Sequence, residues 1–104
     1  MSQTRLFHFP DGKIGIWSRG PGVKKYRVVL YKNRTDYKNQ NKWKTVTFGD
    51  KRYQQWRDNS PMRLYKHLNH NDPDRRRNYR NRHGAQGYQK KKYTPAWFSW
   101  HYLW

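Results

Sequence analysis

A core for this chain must be built almost entirely from aromatic rings. Aliphatic side chains are scarce: two Ile, four Val and five Leu in 104 residues. Against them stand six Trp, nine Tyr and four Phe. Lys and Arg number 24, and the six acidic residues are all Asp, which leaves a formal charge of +18. Basic disordered tails lack aromatic residues, so the ring content argues for a folded chain. Yet so few apolar side chains are a thin supply against the entropy of ordering the whole backbone. Like charge also opposes compaction. Both arguments lead to the expectation that a partner surface completes the fold. The charge selects its chemistry: nucleic acid, an anionic membrane surface, or an acidic protein face.

The length allows one small domain, 1–104. With no Cys, disulfides, zinc–thiolate sites and thiol catalysis are excluded. No stretch approaches the ~20 apolar residues of a membrane span. Met1 to Pro10 lacks the basic-then-apolar layout of a signal peptide.

Along the chain, Phe7/Phe9 and Ile14/Ile16 flank Pro10-Asp11-Gly12, a hairpin signal. Gly20-Pro21-Gly22 breaks the chain. Lys25 to Tyr31 is the best strand, with Tyr26, Val28 and Leu30 on one face and Arg27, Val29 and Tyr31 on the other. Asn33 to Asn41 is polar and turn-rich. Lys42 to Phe48 alternates again, so an antiparallel pair joined by a long loop is predicted. Ser60-Pro61 reads as the start of a helix carrying Met62, Tyr65 and Leu68 on one face. Asp72-Pro73-Asp74 repeats that device more strongly and predicts a helix over Pro73 to His83, stopped by Gly84. Tyr93 to Trp104 holds six rings and no formal charge. The expected fold is therefore α+β: a small β-hairpin or sheet, then one or two short capped helices, then an extended aromatic C-terminal tail.

Two segments carry the candidate sites. Arg75, Arg76, Arg77, Arg80 and Arg82 fall within eight residues, and Lys90, Lys91 and Lys92 follow. A helix cationic all round cannot be a core helix. Guanidinium groups bind phosphate and carboxylate in bidentate fashion, so these eight residues are the predicted contact with a polyanion or acidic partner. The tail rings Trp97, Phe98, Trp100 and Trp104 have three readings: stacking on single-stranded bases, anchoring in a partner protein, or filling the local core. Rings and charges are segregated here, which favours docking on a partner or on the core. His67, His70 and His83, with Asp72, are weighed as a metal set, but their spacing is not a zinc pattern and no metal is assigned. Ser2, Ser18, Ser60 and Ser99 have no convincing His/Asp setting, so no catalytic residue, cofactor or small-molecule substrate is assigned.

The second half of the chain resembles a known family. The residues that carry the likeness are Phe48-Gly49-Asp50-Lys51-Arg52-Tyr53-Gln54-Gln55-Trp56, then Tyr65-x-His67. They continue through His70-x-Asp72-Pro73-x-Arg75-Arg76-Arg77-x-Tyr79-x-x-Arg82-His83 and end on Phe98 to Trp104. Together they resemble a family of small basic proteins of nucleocytoplasmic large DNA viruses. Trp56 stands where that family tends to have Tyr, and residues 1–25 lie outside the likeness. The resemblance implies a viral, non-enzymatic protein on the inner side of the capsid, present in the host cell during assembly. It implies a minor capsid or cement role beside the major capsid protein and other capsid components. The expected mechanism is bridging, with aromatic anchors in protein and Arg/Lys facing acidic protein, membrane headgroups or DNA. The alternative is a basic nucleic-acid-binding protein, condensing virion DNA or of ribosomal type.

Overall fold

The computed structural model describes residues 3–104; Met1 and Ser2, including the serine weighed above as a nucleophile, lie outside them. Four strands form an antiparallel meander in chain order: β1 (Thr4–His8), β2 (Ile14–Arg19), β3 (Tyr26–Tyr31) and β4 (Lys44–Phe48). The Pro10-Asp11-Gly12 turn closes the first hairpin. Phe9 N–H donates to Lys13 O at 2.9 Å, and Gly12 takes φ 91°, open to a residue without Cβ. The register pairs Arg5 with Trp17, Trp17 with Val28, and Val28 with Val46. Phe7, Trp17, Tyr26, Val28, Leu30, Val46 and Phe48 therefore share one face, as period-two alternation requires. Gly15 lies on that face too. A Cβ there would come within 2.9 Å of the Phe9 ring, so glycine makes room for the turn residue to fold back over the sheet.

The opposite face is only partly covered. A short helix, α1 (Arg34–Lys38), sits in the β3–β4 connection, capped by Asn33, whose Oδ1 accepts from Asp36 N–H at 2.8 Å. The polar, turn-rich pattern of Asn33–Asn41 does not distinguish this helix from turns. Tyr37 packs edge-on against Tyr31 at 5.2 Å between ring centroids, and Ile14 is buried on this face as well. Further along, the cross-strand row Leu6–Ile16–Val29–Thr45 is half-buried at Ile16 and Val29 and exposed at Thr45 and Leu6, the latter 44% exposed.

The α+β class stands as expected, but two predicted elements differ. No helix follows Ser60-Pro61. Arg63 takes a left-handed φ of 53°. The next two donors go to side chains: Leu64 N–H to the Tyr26 hydroxyl, and Tyr65 N–H to Asp58 Oδ2, each at 2.9 Å. Backbone groups bonded sideways cannot build an i→i−4 ladder. Only a single 3₁₀ turn, Lys66–Leu68, forms here. The second correction concerns the tail, which is helical rather than extended. Thr94 caps and Pro95 opens helix α3 (Pro95–Tyr102), with Thr94 Oγ1 accepting from Trp97 N–H at 3.3 Å. Between these segments runs α2 (Pro73–Gly84), with Asp72 as cap and Pro73 first, as predicted. It ends one residue later than expected, because Gly84 remains helical. Its Cα passes close to α3, where a Cβ would meet the Trp100 ring at 3.3 Å; the left-handed glycine is Gly87, at φ 77°.

Helix α3 covers the inner face of the sheet. Phe98 is fully buried, stacked on Phe48 at 5.2 Å and edge-on to Trp17 at 5.5 Å. The chain's own tail rings thus pack on this face of the sheet. Among the described residues, no helix is long and apolar enough to cross a membrane.

Candidate functional site

Residues 49–72 cross the structure with almost no regular backbone pairing, yet parts of them are buried. Buried loop backbone must find partners, and side chains supply them, three buried ones among them. Asp58 is 2% exposed and accepts from the Tyr26 hydroxyl, Tyr65 N–H and Ser60 N–H. Gln55 donates to Tyr65 O at 2.8 Å and to Asn69 Oδ1 at 2.7 Å. Lys25, equally buried, donates to Tyr53 O at 2.9 Å and to Gln55 Oε1. Burial pushes the Lys25 ammonium down to about 8 from 10.5, partly offset by the Asp58 and Asp50 carboxylates. Burial and the bond to Asp58 push the Tyr26 hydroxyl well above its usual value. This network ties the irregular segment to β3. No sequence pattern singled out Lys25, Gln55 or Asp58, because their spacing is set only by the fold.

The predicted cationic segment divides in two. Arg76 and Arg80 are half-buried; their Nε groups donate to the Trp104 main-chain oxygen at 2.8 and 3.2 Å. Their guanidinium planes lie over Trp56 and Trp100, at 5.1 and 4.7 Å from the ring centroids. Through these bonds the two arginines hold the end of the chain beyond α3 against α2. Arg75, Arg77, Arg82, Lys90, Lys91 and Lys92 are exposed. Arg75 reaches Gln54 Oε1 at 2.9 Å, Arg77 pairs with Asp74, and Lys92 stands 4.0 Å from Asp11. Among the described residues, Arg75, Arg82, Lys90 and Lys91 have no carboxylate within 4.0 Å.

The predicted anchors are placed inside. Trp97, Phe98 and Trp100 are buried in the chain's own core or against α2. Trp104 is half-buried and stacks on Tyr79 at 4.2 Å with the rings 4° apart. The ring contacts continue from Tyr79 to His83 on α2 at 4.4 Å, tilted by 57°, and from His83 to Tyr88 beyond it at 4.4 Å, stacked. Of the histidines weighed as a metal set, His70 and His83 are half-buried among rings and His67 is exposed. His70 Nδ1 accepts from Asp72 N–H at 2.9 Å, and burial together with nearby Arg75 holds its pKa below the usual histidine value. Among the described residues, no three His or Asp side chains gather as a metal-binding group.

Two large rings, Tyr53 and Trp43, are exposed without having been assigned a role. Trp43, 36% exposed, lies just before β4 with Lys44, Lys13 and Lys32 around it, their ammonium groups 4.7, 5.8 and 5.9 Å from its centroid. The local signal was the triplet Lys42-Trp43-Lys44, which interleaves ring and charge where the tail segregates them. Tyr93 meets Trp43 edge-on at 5.7 Å. Tyr93 is a bulky residue held at φ 62°, and its hydroxyl donates to Asp11 Oδ1 at 2.7 Å. It also lines a neighbouring cleft of about 510 Å³ with Phe9, Trp97, Tyr102, Lys92 and His101.

No family model, curated protein or solved structure matches this chain.

Proposed function

We propose that this chain is a nucleic-acid-binding protein. One observation carries the reading: the fold keeps its tail rings for its own core and leaves an unpaired cationic surface. Arg75, Arg82, Lys90 and Lys91 lie exposed without acidic partners among the described residues. A chain at +18 with six Asp relieves its self-repulsion on a polyanion. Binding of this kind is driven by counterion release, is indifferent to sequence and weakens steeply with salt. The resemblance of residues 26–104 to small basic proteins of large DNA viruses supports a place in the virion, where the polyanion is the packaged genome.

A second reading is a minor capsid component docked on neighbouring capsid protein. The row Leu6–Ile16–Val29, exposed at Leu6 and half-buried at Ile16 and Val29, favours it, since none of the described helices is paired with this row. With the tail rings buried, such a contact rests on the sheet rather than on Trp97, Phe98 and Trp100.

The test is a salt titration of binding to a duplex of random sequence. The expected slope of log K against log salt is about −4 to −5, for roughly five phosphates neutralised. Replacing Arg75, Arg82, Lys90 and Lys91 with Ala should flatten that slope by about three to four. Absence of binding at low salt rejects the reading and leaves capsid docking.

A further inference from the structure

The Trp43 surface joins the two features that single-strand binders combine, an accessible ring and cations along a track. Lys13 and Lys92 both approach Asp11 Oδ2 at 4.0 Å, so one carboxylate faces two ammonium groups at the rim of the Tyr93 cleft. Lys32 and Lys44 have no carboxylate within 4.0 Å among the described residues, although Asp36 lies beside the same hollow as Lys32 and Trp43. Lys13 reaches over the Trp43 ring as well, so it stands between ring and cleft. The cleft itself is walled by Phe9, Tyr93, Trp97 and Tyr102. Its volume of about 510 Å³ falls in the range of small-molecule pockets and exceeds that of one nucleobase. Tyr93 forms part of both surfaces, and its left-handed backbone is the kind of strain that persists where a position is over-determined.

We propose that Trp43 and the adjoining Phe9–Tyr93–Trp97–Tyr102 cleft take successive bases of a single-stranded nucleic acid, with Lys13, Lys32, Lys44 and Lys92 on its phosphates. The inference rests on the nucleic-acid reading above and adds a preference to it. Duplex bases present only their edges, so neither the exposed face of Trp43 nor the cleft can engage them without unstacking. A single strand offers both faces and a flexible backbone. The lysines that now hover over Trp43 are unpaired or weakly paired, so an incoming base displaces solvated ammonium groups toward the phosphates rather than breaking ion pairs. Recognition of this kind is sequence-tolerant, because every base has a π-face.

The experiment compares three labelled ligands of about a dozen nucleotides: oligothymidylate, an abasic strand of the same length, and a duplex. Each is titrated by anisotropy with the full chain, with Trp43→Ala and with Trp43→Phe. Thymidylate should bind about 10- to 100-fold tighter than the abasic strand. Trp43→Ala should lose about tenfold on thymidylate without changing its salt slope, and leave the abasic and duplex affinities where they were. Trp43→Phe should restore most of the loss. Because Trp43 is outside the core cluster, its removal leaves the fold intact, and the unchanged duplex affinity verifies this. If the full chain binds abasic and thymidylate strands equally, or Trp43→Ala weakens all three ligands alike, the stacking site is refuted while nucleic-acid binding stands. If none of the three binds at low salt, both readings fall together.

Discussion

Lys25 shows what a single buried charge does to this molecule. Its ammonium has two acceptors, Tyr53 O and Gln55 Oε1, and an ordinary pKa of 10.5 lowered to about 8 by burial. Between those values the unfolded chain holds a proton that the folded chain has released, so raising the pH favours the fold. The tyrosines act in the opposite sense at higher pH. Burial pushes Tyr102 up to about 12 and holds Tyr26, Tyr79 and Tyr93 higher still. Above about pH 10 the unfolded chain loses phenolic protons that the fold retains, and stability falls. The melting temperature should therefore climb from about pH 8, peak near pH 10 and then decline. Lys25→Met should remove most of the climb while keeping the decline. Parallel curves for the two proteins would show that Lys25 is not the group responsible. None of this was legible in the sequence, where Lys25 is one of many lysines beside a strand. Only the loop that folds over it removes it from water.

At the level of elements, caps were readable and their competition was not. Asp72 does what its position before Pro73 announces: Oδ1 accepts from Asp74 N–H at 2.9 Å and from Arg75 N–H at 3.4 Å. Asp72→Ala should cost about 1 kcal/mol, measured as a lower chemical-denaturation midpoint, with Asp72→Ser close to the original. An unchanged midpoint for Asp72→Ala would mean that α2 is held by Arg76 and Arg80 alone. Ser60-Pro61 carries the same signature, yet no helix follows. Ser60 Oγ does accept a local bond, from Arg63 N–H at 3.0 Å, but Asp58 and Tyr26 take the next donors. Thr94-Pro95 is the third instance and does start a helix. The motif thus predicts a place where a helix can begin. Whether one continues depends on which distant side chains reach its backbone.

For the whole molecule, the division between charge and rings has a different consequence from the one the sequence suggested. The tail was expected to reach a partner or the core; its rings lie between the sheet and α2, so the tail is part of the folding unit. Removing residues 93–104 should leave an unfolded chain, seen as loss of near-ultraviolet dichroism and of any cooperative melt. Retention of a cooperative melt by the truncated chain would show that sheet and loop fold without α3. Phe98→Ala should show the same dependence in milder form, at about 3–5 kcal/mol. The cationic surface works against compactness at low ionic strength; a polyanion bound as proposed would stabilise the fold by mass action.

The sequence by itself determined the class, the two faces of β3 and β4, the Pro10-Asp11-Gly12 hairpin and the cap of α2. Each rests on local physics: side-chain alternation, turn conformations and unsatisfied helix N–H groups. It also determined the excess of positive charge, which no folding can remove. Tertiary structure alone decided which charges are spent inside. Arg76 and Arg80 differ from Arg75 and Arg82 only in facing Trp104, Trp56 and Trp100. Lys25 differs from Lys24 only in lying beneath Gln55. Trp43 is exposed and Trp97 buried for the same kind of reason: Trp97 lies on α3 against Phe9 and Tyr93, while Trp43 meets the edge of Tyr93 and the lysines around it. Such outcomes depend on contacts between residues far apart in the chain, and a long-range contact leaves no mark on the local pattern of either partner.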